Sequence, residues 1–155
     1  SRTISIFETF LKSNENIQII AIAGRNKKMK LQFEEIVNTT DYKKPVKILE
    51  FTDKVPELMS IADLVVTKPG GLTTSESLAS HLPMLIINPI PGQEEENAEF
   101  LESKNIAVWL RKKDDFKKVI HNLLADSERL ETMKNNTSIL AKPNSTKTIC
   151  ETLLN

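Results

Sequence analysis

Five short apolar bursts recur along this chain, and stretches with helical spacing fall between them. The bursts are residues 17–23 (IQIIAIA), 46–51 (VKILEF), 64–66 (LVV), 84–88 (MLIIN) and 106–109 (IAVW). Helical patterns occupy residues 27–38, 55–60, 72–80, 93–103 and 115–124, with Leu31, Ile36 and Val37 expected inward in the first of them. Short runs this apolar suit strands covered on both faces, and a helix after each strand is the connection that lets successive strands run parallel. The expected class is therefore α/β, a doubly wound, Rossmann-like parallel sheet with helices on both faces. A length of 155 residues suits one such domain and is short for two.

The two ends depart from the alternation. Ile4, Phe7, Phe10 and Leu11 form the apolar stripe of an opening helix, yet no strand pattern precedes it. A right-handed crossover helix is normally entered from a strand and its ligand-binding turn, so the expectation is a fragment whose first strand lies upstream. Residues 129–140 and 146–154 read as two further helices separated by Pro143, with residues 141–155 as a C-terminal tail helix.

Chemistry concentrates in one run, Ala62-Asp63-Leu64-Val65-Val66-Thr67-Lys68-Pro69-Gly70-Gly71-Leu72-Thr73-Thr74-Ser75-Glu76. It reads as a buried strand, a Pro-Gly-Gly turn and a helix start with an acid close behind. Paired glycines let the backbone approach a ligand, and the helix start offers unpaired N–H groups and a positive dipole end, which suits a phosphate or diphosphate. A plain tight turn uses the same residues. For Glu76 there are two readings: it reaches sugar hydroxyls of a nucleotide, or it closes a capping box with Thr73. Spacing alone does not separate them.

A second motif, Pro91-Gly92-Gln93-Glu94-Glu95-Glu96-Asn97, opens the next helix after a strand. Its acids also fit a simple complement to the helix dipole. Gly24-Arg25-Asn26 and Phe51-Thr52-Asp53 close the first two strands. Arg25 is either a fork donor to a diphosphate or a solvent-facing turn residue.

Together, Lys68 to Glu76, Leu82-Pro83 and Pro91 to Asn97 resemble the donor-binding half of a GT-B glycosyltransferase. The likeness covers roughly residues 17–110. It is nearest to the group of MurG, the bacterial diacylglycerol glucosyltransferases and the monogalactosyldiacylglycerol synthases. Ile22-Ala23-Gly24-Arg25-Asn26 and Pro91-Gly92-Gln93-Glu94 are more similar to the diacylglycerol branch. The resemblance implies that residues 1–155 are one UDP-sugar donor-binding domain of a two-domain enzyme. It further implies roles for single residues. The backbone N–H groups of Gly71, Leu72 and Thr73, with the Thr73 hydroxyl, would hold the diphosphate, Pro69 and Gly70 would belong to the same substrate-binding turn, and Glu76 would hold the ribose. Phe51 and Thr52 would meet the uracil, the former as a packing wall, and Gln93 and Glu94 the transferred hexose. Gly24 and Arg25 would complete the site, while Glu95 and Glu96 serve the dipole and Asn97 braces the loop.

Composition trims the remaining classes. Lys+Arg and Asp+Glu are both 21, so no overall basic field points to nucleic acid. Arg111-Lys112-Lys113 reads as a solvated loop. A lone cysteine, Cys150, forms no internal disulfide, reads as a core residue and suits a reducing compartment. No apolar run approaches the ~20 residues of a membrane span. No metal-ligand spacing is present, so no cofactor or metal is expected. His81 reads as a helix C-terminal cap and His121 as a surface residue; neither is assigned to catalysis, and no catalytic residue is placed in this stretch.

The expected activity is transfer of a hexose from a UDP-sugar to a lipid acceptor such as diacylglycerol. The catalytic base and the lipid and membrane contact would belong to a missing N-terminal domain. The resemblance implies a cytoplasmic protein, peripheral at the membrane. Two other readings stay open: an N-acetylglucosaminyltransferase of the MurG kind or its small donor-binding subunit, and a non-catalytic nucleotide-sugar sensor.

Overall fold

The structure, a computed structural model, describes residues 2–41, 44–67 and 71–140, the side chains of Gly71 and Leu72 excepted. It runs α1 (Arg2–Leu11), β1 (Ile19–Gly24), α2 (Lys27–Thr39), β2 (Val46–Glu50), α3 (Val55–Ile61), β3 (Val65–Thr67), α4 (Gly71–Ala79), β4 (Met84–Ile87), α5 (Gln93–Ser103), β5 (Ala107–Leu110), α6 (Phe116–Ala125) and α7 (Ser127–Leu140). Among the described residues all pairings are parallel: β1 with β2, and β4 between β3 and β5. The parallel α/β arrangement expected from the alternation is present, with its pairing divided into two ladders. The tail helix and Cys150 lie outside the described residues.

The chain divides into two compact units, Ser1–Lys54 with Asp115–Ala125, and Val55–Asp114 with Asp126–Asn155. In the first, β1 alternates strictly. Ala21 and Ala23 are buried, whereas Ile20 and Ile22 are exposed. The small alanines let the larger side chains of the helices come close to the strand, and Phe7, Leu11 and Phe33 pack there. The Phe7 and Phe33 rings meet at 4.7 Å with a 52° tilt, the offset arrangement that aromatic quadrupoles favour. Leu31, expected inward, is instead 65% exposed. The inward stripe of α2 is Met29, Phe33, Ile36 and Val37. At about 100° per residue, Leu31 falls on the opposite face.

In the second unit, all four residues of β4 are buried, as a central parallel strand requires. Met84 and Ile86 pack with Leu78, Ala98, Leu101 and Ile106. Both helices that lead into β4 and β5 end in the same way. His81 (φ 57°) and Asn105 (φ 53°) take the left-handed conformation. Leu82 N–H donates to Ser77 O and His81 N–H to Leu78 O, at 2.9 and 3.1 Å. Ile106 N–H donates to Leu101 O and Asn105 N–H to Glu102 O, at 3.1 and 3.0 Å. These are Schellman motifs, which satisfy the last carbonyls and aim the chain into the following strand. His81 is the helix cap expected of it.

Leu101→Ala should therefore cost about 2–5 kcal/mol of unfolding free energy through its cavity. Leu31→Ala should change stability by no more than about 0.5 kcal/mol. Urea unfolding of both variants checks this packing, and comparable losses would contradict it.

Candidate functional site

In a parallel ladder the turns that follow the strands all lie at one end, where α/β proteins hold ligands. In the first unit, β1 ends on Gly24 with φ 62°. A β-carbon there would meet nothing within 4 Å, so the backbone conformation, not crowding, asks for glycine. Asn26 follows and caps α2, its Oδ1 accepting from Met29 N–H at 2.9 Å. Arg25 is thus held between two fixed backbone positions.

The neighbouring strand β2 ends on Glu50, whose Oε1 accepts from Lys30 Nζ at 3.0 Å. That hydrogen bond, with the Glu50 charge behind it, holds the Lys30 ammonium pKa above its ordinary value. Next comes Phe51, 64% exposed, with the guanidinium carbon of Arg25 over its ring, 4.7 Å from the centroid. Thr52 Oγ1 accepts from Lys54 N–H at 3.1 Å and closes the turn. Of the residues marked from sequence, the structure therefore brings Arg25 and Phe51 into contact.

In the second unit, β3 leads into α4. Lys68, Pro69 and Gly70 lie outside the described residues. The helix begins at Gly71, so Thr73 is its third residue and Glu76 its sixth. A capping box needs its threonine ahead of the first turn, and this helix start removes that reading. Glu76 and Thr73 are half-buried. Thr74 and Ser77 are fully buried; Ser77 Oγ donates to Thr73 O at 2.7 Å, while Thr74 Oγ1 has no hydrogen-bond partner among the described residues.

The loop from β4 to α5 starts the next helix at the same end of this ladder, since β3 and β4 run parallel with Thr67 opposite Ile86. Asn88 has φ 48°, and Gly92, at φ 101° and ψ −121°, sits where only glycine is comfortable. Glu94 Oε1 accepts from Ile90 N–H at 3.0 Å, so this carboxylate braces its own loop. Bracing was the role expected of Asn97, which is buried. Gln93 and Glu95 are half-buried and Glu96 is exposed.

Arg111 is no part of a loose basic patch. It makes two hydrogen bonds to Glu102, at 3.0 and 3.3 Å, and stacks 4.2 Å from the Trp109 ring centroid. Lys112 and Lys113 are exposed. Among the described residues no group of three His, Cys, Asp or Glu is placed to hold a metal ion. No described helix is long and apolar enough to cross a membrane.

The glycosyltransferase family 28 C-terminal domain matches residues 3–150. The chain is 34% identical over 147 residues to the processive diacylglycerol beta-glucosyltransferase of Bacillus pumilus, covering 95% of this chain and 38% of that protein. It is 36% identical over 148 residues to the same-named protein of Staphylococcus carnosus, covering 93% and 36%. The chain thus spans well under half the length of these curated relatives. Among solved structures, MurG of Acinetobacter baumannii matches with a TM-score of 0.76 at 18% identity, over 96% of this chain and 44% of that one. WaaG, a glycosyltransferase involved in lipopolysaccharide biosynthesis, matches at 0.69 and 17%, over 97% and 40%. At these identities the structural matches speak for the fold alone. The sequence match spans nearly all of the chain, including every strand-end turn described above, and the chain belongs to the glycosyltransferase family 28 C-terminal domains.

Proposed function

We propose that this chain is the donor-binding part of a glycosyltransferase that moves a hexose from a UDP-sugar to a lipid acceptor. The names of the relatives favour diacylglycerol. The observation that carries the reading is the start of α4 at Gly71, the next element after β3, with Glu76 half-buried in its second turn and outside any capping box.

Backbone N–H groups of Gly71, Leu72 and Thr73, together with Pro69 and Gly70 of the same motif, bind the diphosphate. As the glycosidic bond breaks, negative charge grows on the departing UDP. Fixed N–H dipoles and the helix N-terminus stabilise that charge without reorganising, and this chemistry asks for no metal. Glu76 accepts from the ribose hydroxyls. Phe51 and Thr52 meet the uracil, Gln93 and Glu94 the hexose, and Gly24 and Arg25 line the end of β1. The acceptor hydroxyl also needs a base within hydrogen-bond reach. His81 serves a helix end, and His121 lies exposed on α6, so the base comes from another part of the protein. The chain alone binds donor and does not turn it over. The full-length protein works at the cytoplasmic face of a membrane as a peripheral enzyme.

Calorimetry should show UDP binding more tightly than ADP or GDP with no divalent metal added. Glu76→Gln should weaken UDP by about 1–3 kcal/mol, as loss of a charged hydrogen-bond partner does, at unchanged melting temperature. Equal affinity for the three diphosphates, or a Glu76→Gln variant that melts early yet binds normally, would refute the assignment.

The hexose contacts separate from the loop brace by variant. In the full-length enzyme, Gln93→Ala should keep UDP affinity and lose discrimination between UDP-glucose and UDP-galactose, because hydroxyl recognition rests on paired polar groups. Glu94→Ala should also lower the melting temperature, since Ile90 N–H loses its acceptor. Glu94→Gln keeps an acceptor and should restore stability without restoring sugar selectivity. Unchanged selectivity in all three variants would leave this loop a structural turn.

A further inference from the structure

We infer that Arg25 and Phe51 form a stacking platform for the nucleobase, so that Arg25 serves the base and not the diphosphate. The inference rests on the nucleotide-sugar reading above and assigns one residue's part in it. Three features of the first unit carry it. The guanidinium carbon lies over the Phe51 ring, 4.7 Å from its centroid, a cation–π contact that ties the two side chains together. Phe51 is 64% exposed although it is a large apolar side chain. A lone exposed apolar side chain is ordinary, but this ring carries a guanidinium and stands just after a strand, at the end where α/β proteins hold ligands. Both residues directly follow parallel neighbouring strands, β1 and β2.

The surroundings hold this pair in place before any ligand arrives. Gly24 and the Asn26 cap fix the backbone on either side of Arg25. The Lys30–Glu50 contact ties α2 to the residue before Phe51, and Thr52 closes the turn after it. No described carboxylate forms an ion pair with Arg25. Bases stack readily on aromatic rings and on guanidinium planes. The base is the planar part of a nucleotide, and an exposed ring with a guanidinium over it offers planar groups on which it can stack. Lysine carries the same charge but has no plane to stack. The substitution Arg25→Lys therefore separates charge from shape.

The test measures binding of uridine, UMP and UDP to the full-length protein, by calorimetry with ligand-observed NMR for the weaker ligands. Arg25→Lys and Phe51→Leu should each weaken all three ligands by a similar factor, about fivefold or more. The double variant should be hardly weaker than either single variant, because the two side chains act as one unit. Both residues are exposed, so melting temperatures should hold and a fold defect is readily recognised. A loss that grows with phosphate number and spares uridine would overturn the inference and return Arg25 to the diphosphate. Independent, additive losses would overturn it as well, as would unchanged binding in both variants. If the wild-type protein binds UDP no better than ADP, the uridine reading itself falls, an outcome distinct from failure at Arg25 alone.

Discussion

Parallel pairing is the constraint on which the rest of this structure depends. A strand that must be followed by a parallel neighbour sends the chain back through a helix, so each ladder gathers its strand-to-helix turns at one end. The two kinds of turn divide the work. The turns into β4 and β5 end in left-handed His81 and Asn105, where the Schellman bonds need only a backbone shape. Turns from strand to helix carry Gly24 and Gly92 at positive φ, along with the side chains able to meet a ligand. Topology therefore gathers the turns open to a ligand at one end of each ladder before any residue is chosen.

What residue choice adds is rigidity at those turns. Asn26 caps α2, Lys30 joins Glu50, and Glu94 holds Ile90 N–H. As exposed contacts each contributes little to global stability. Their effect is positional: they fix in advance the turns that the proposed function assigns to the donor, so that binding asks for less reorganisation. The paired hydrogen bonds from Arg111 to Glu102 do the same for the end of β5.

Much of this was readable from the residues, for identifiable reasons. The strands and helices follow from periodicities that are local in the chain, and the glycine turns from backbone demands that few other residues meet. Leu31 was misplaced because hydrophobicity alone, without its angle around α2, does not choose a face. The Thr73–Glu76 spacing imitated a capping box, but Gly71 sets the helix start ahead of it. The division into two ladders depends on which strands meet in space, a matter on which local pattern is silent. The Arg25–Phe51 contact likewise joins residues distant in sequence. Arg111 looked like part of a solvated basic run until its partners Glu102 and Trp109 were brought beside it by α5 and β5.

The central claim is that the turns following the strands hold the donor nucleotide. Backbone chemical-shift mapping of the isotopically labelled protein on titration with UDP tests it most directly. The account predicts that the largest perturbations fall at residues 24–26, 51–52 and 71–76. The groove of about 290 Å³ lined by Lys12 and Ser13, just after α1, and by Lys117 and His121 of α6 should stay silent. Perturbations centred on that groove, with the strand-end turns unmoved, would contradict it.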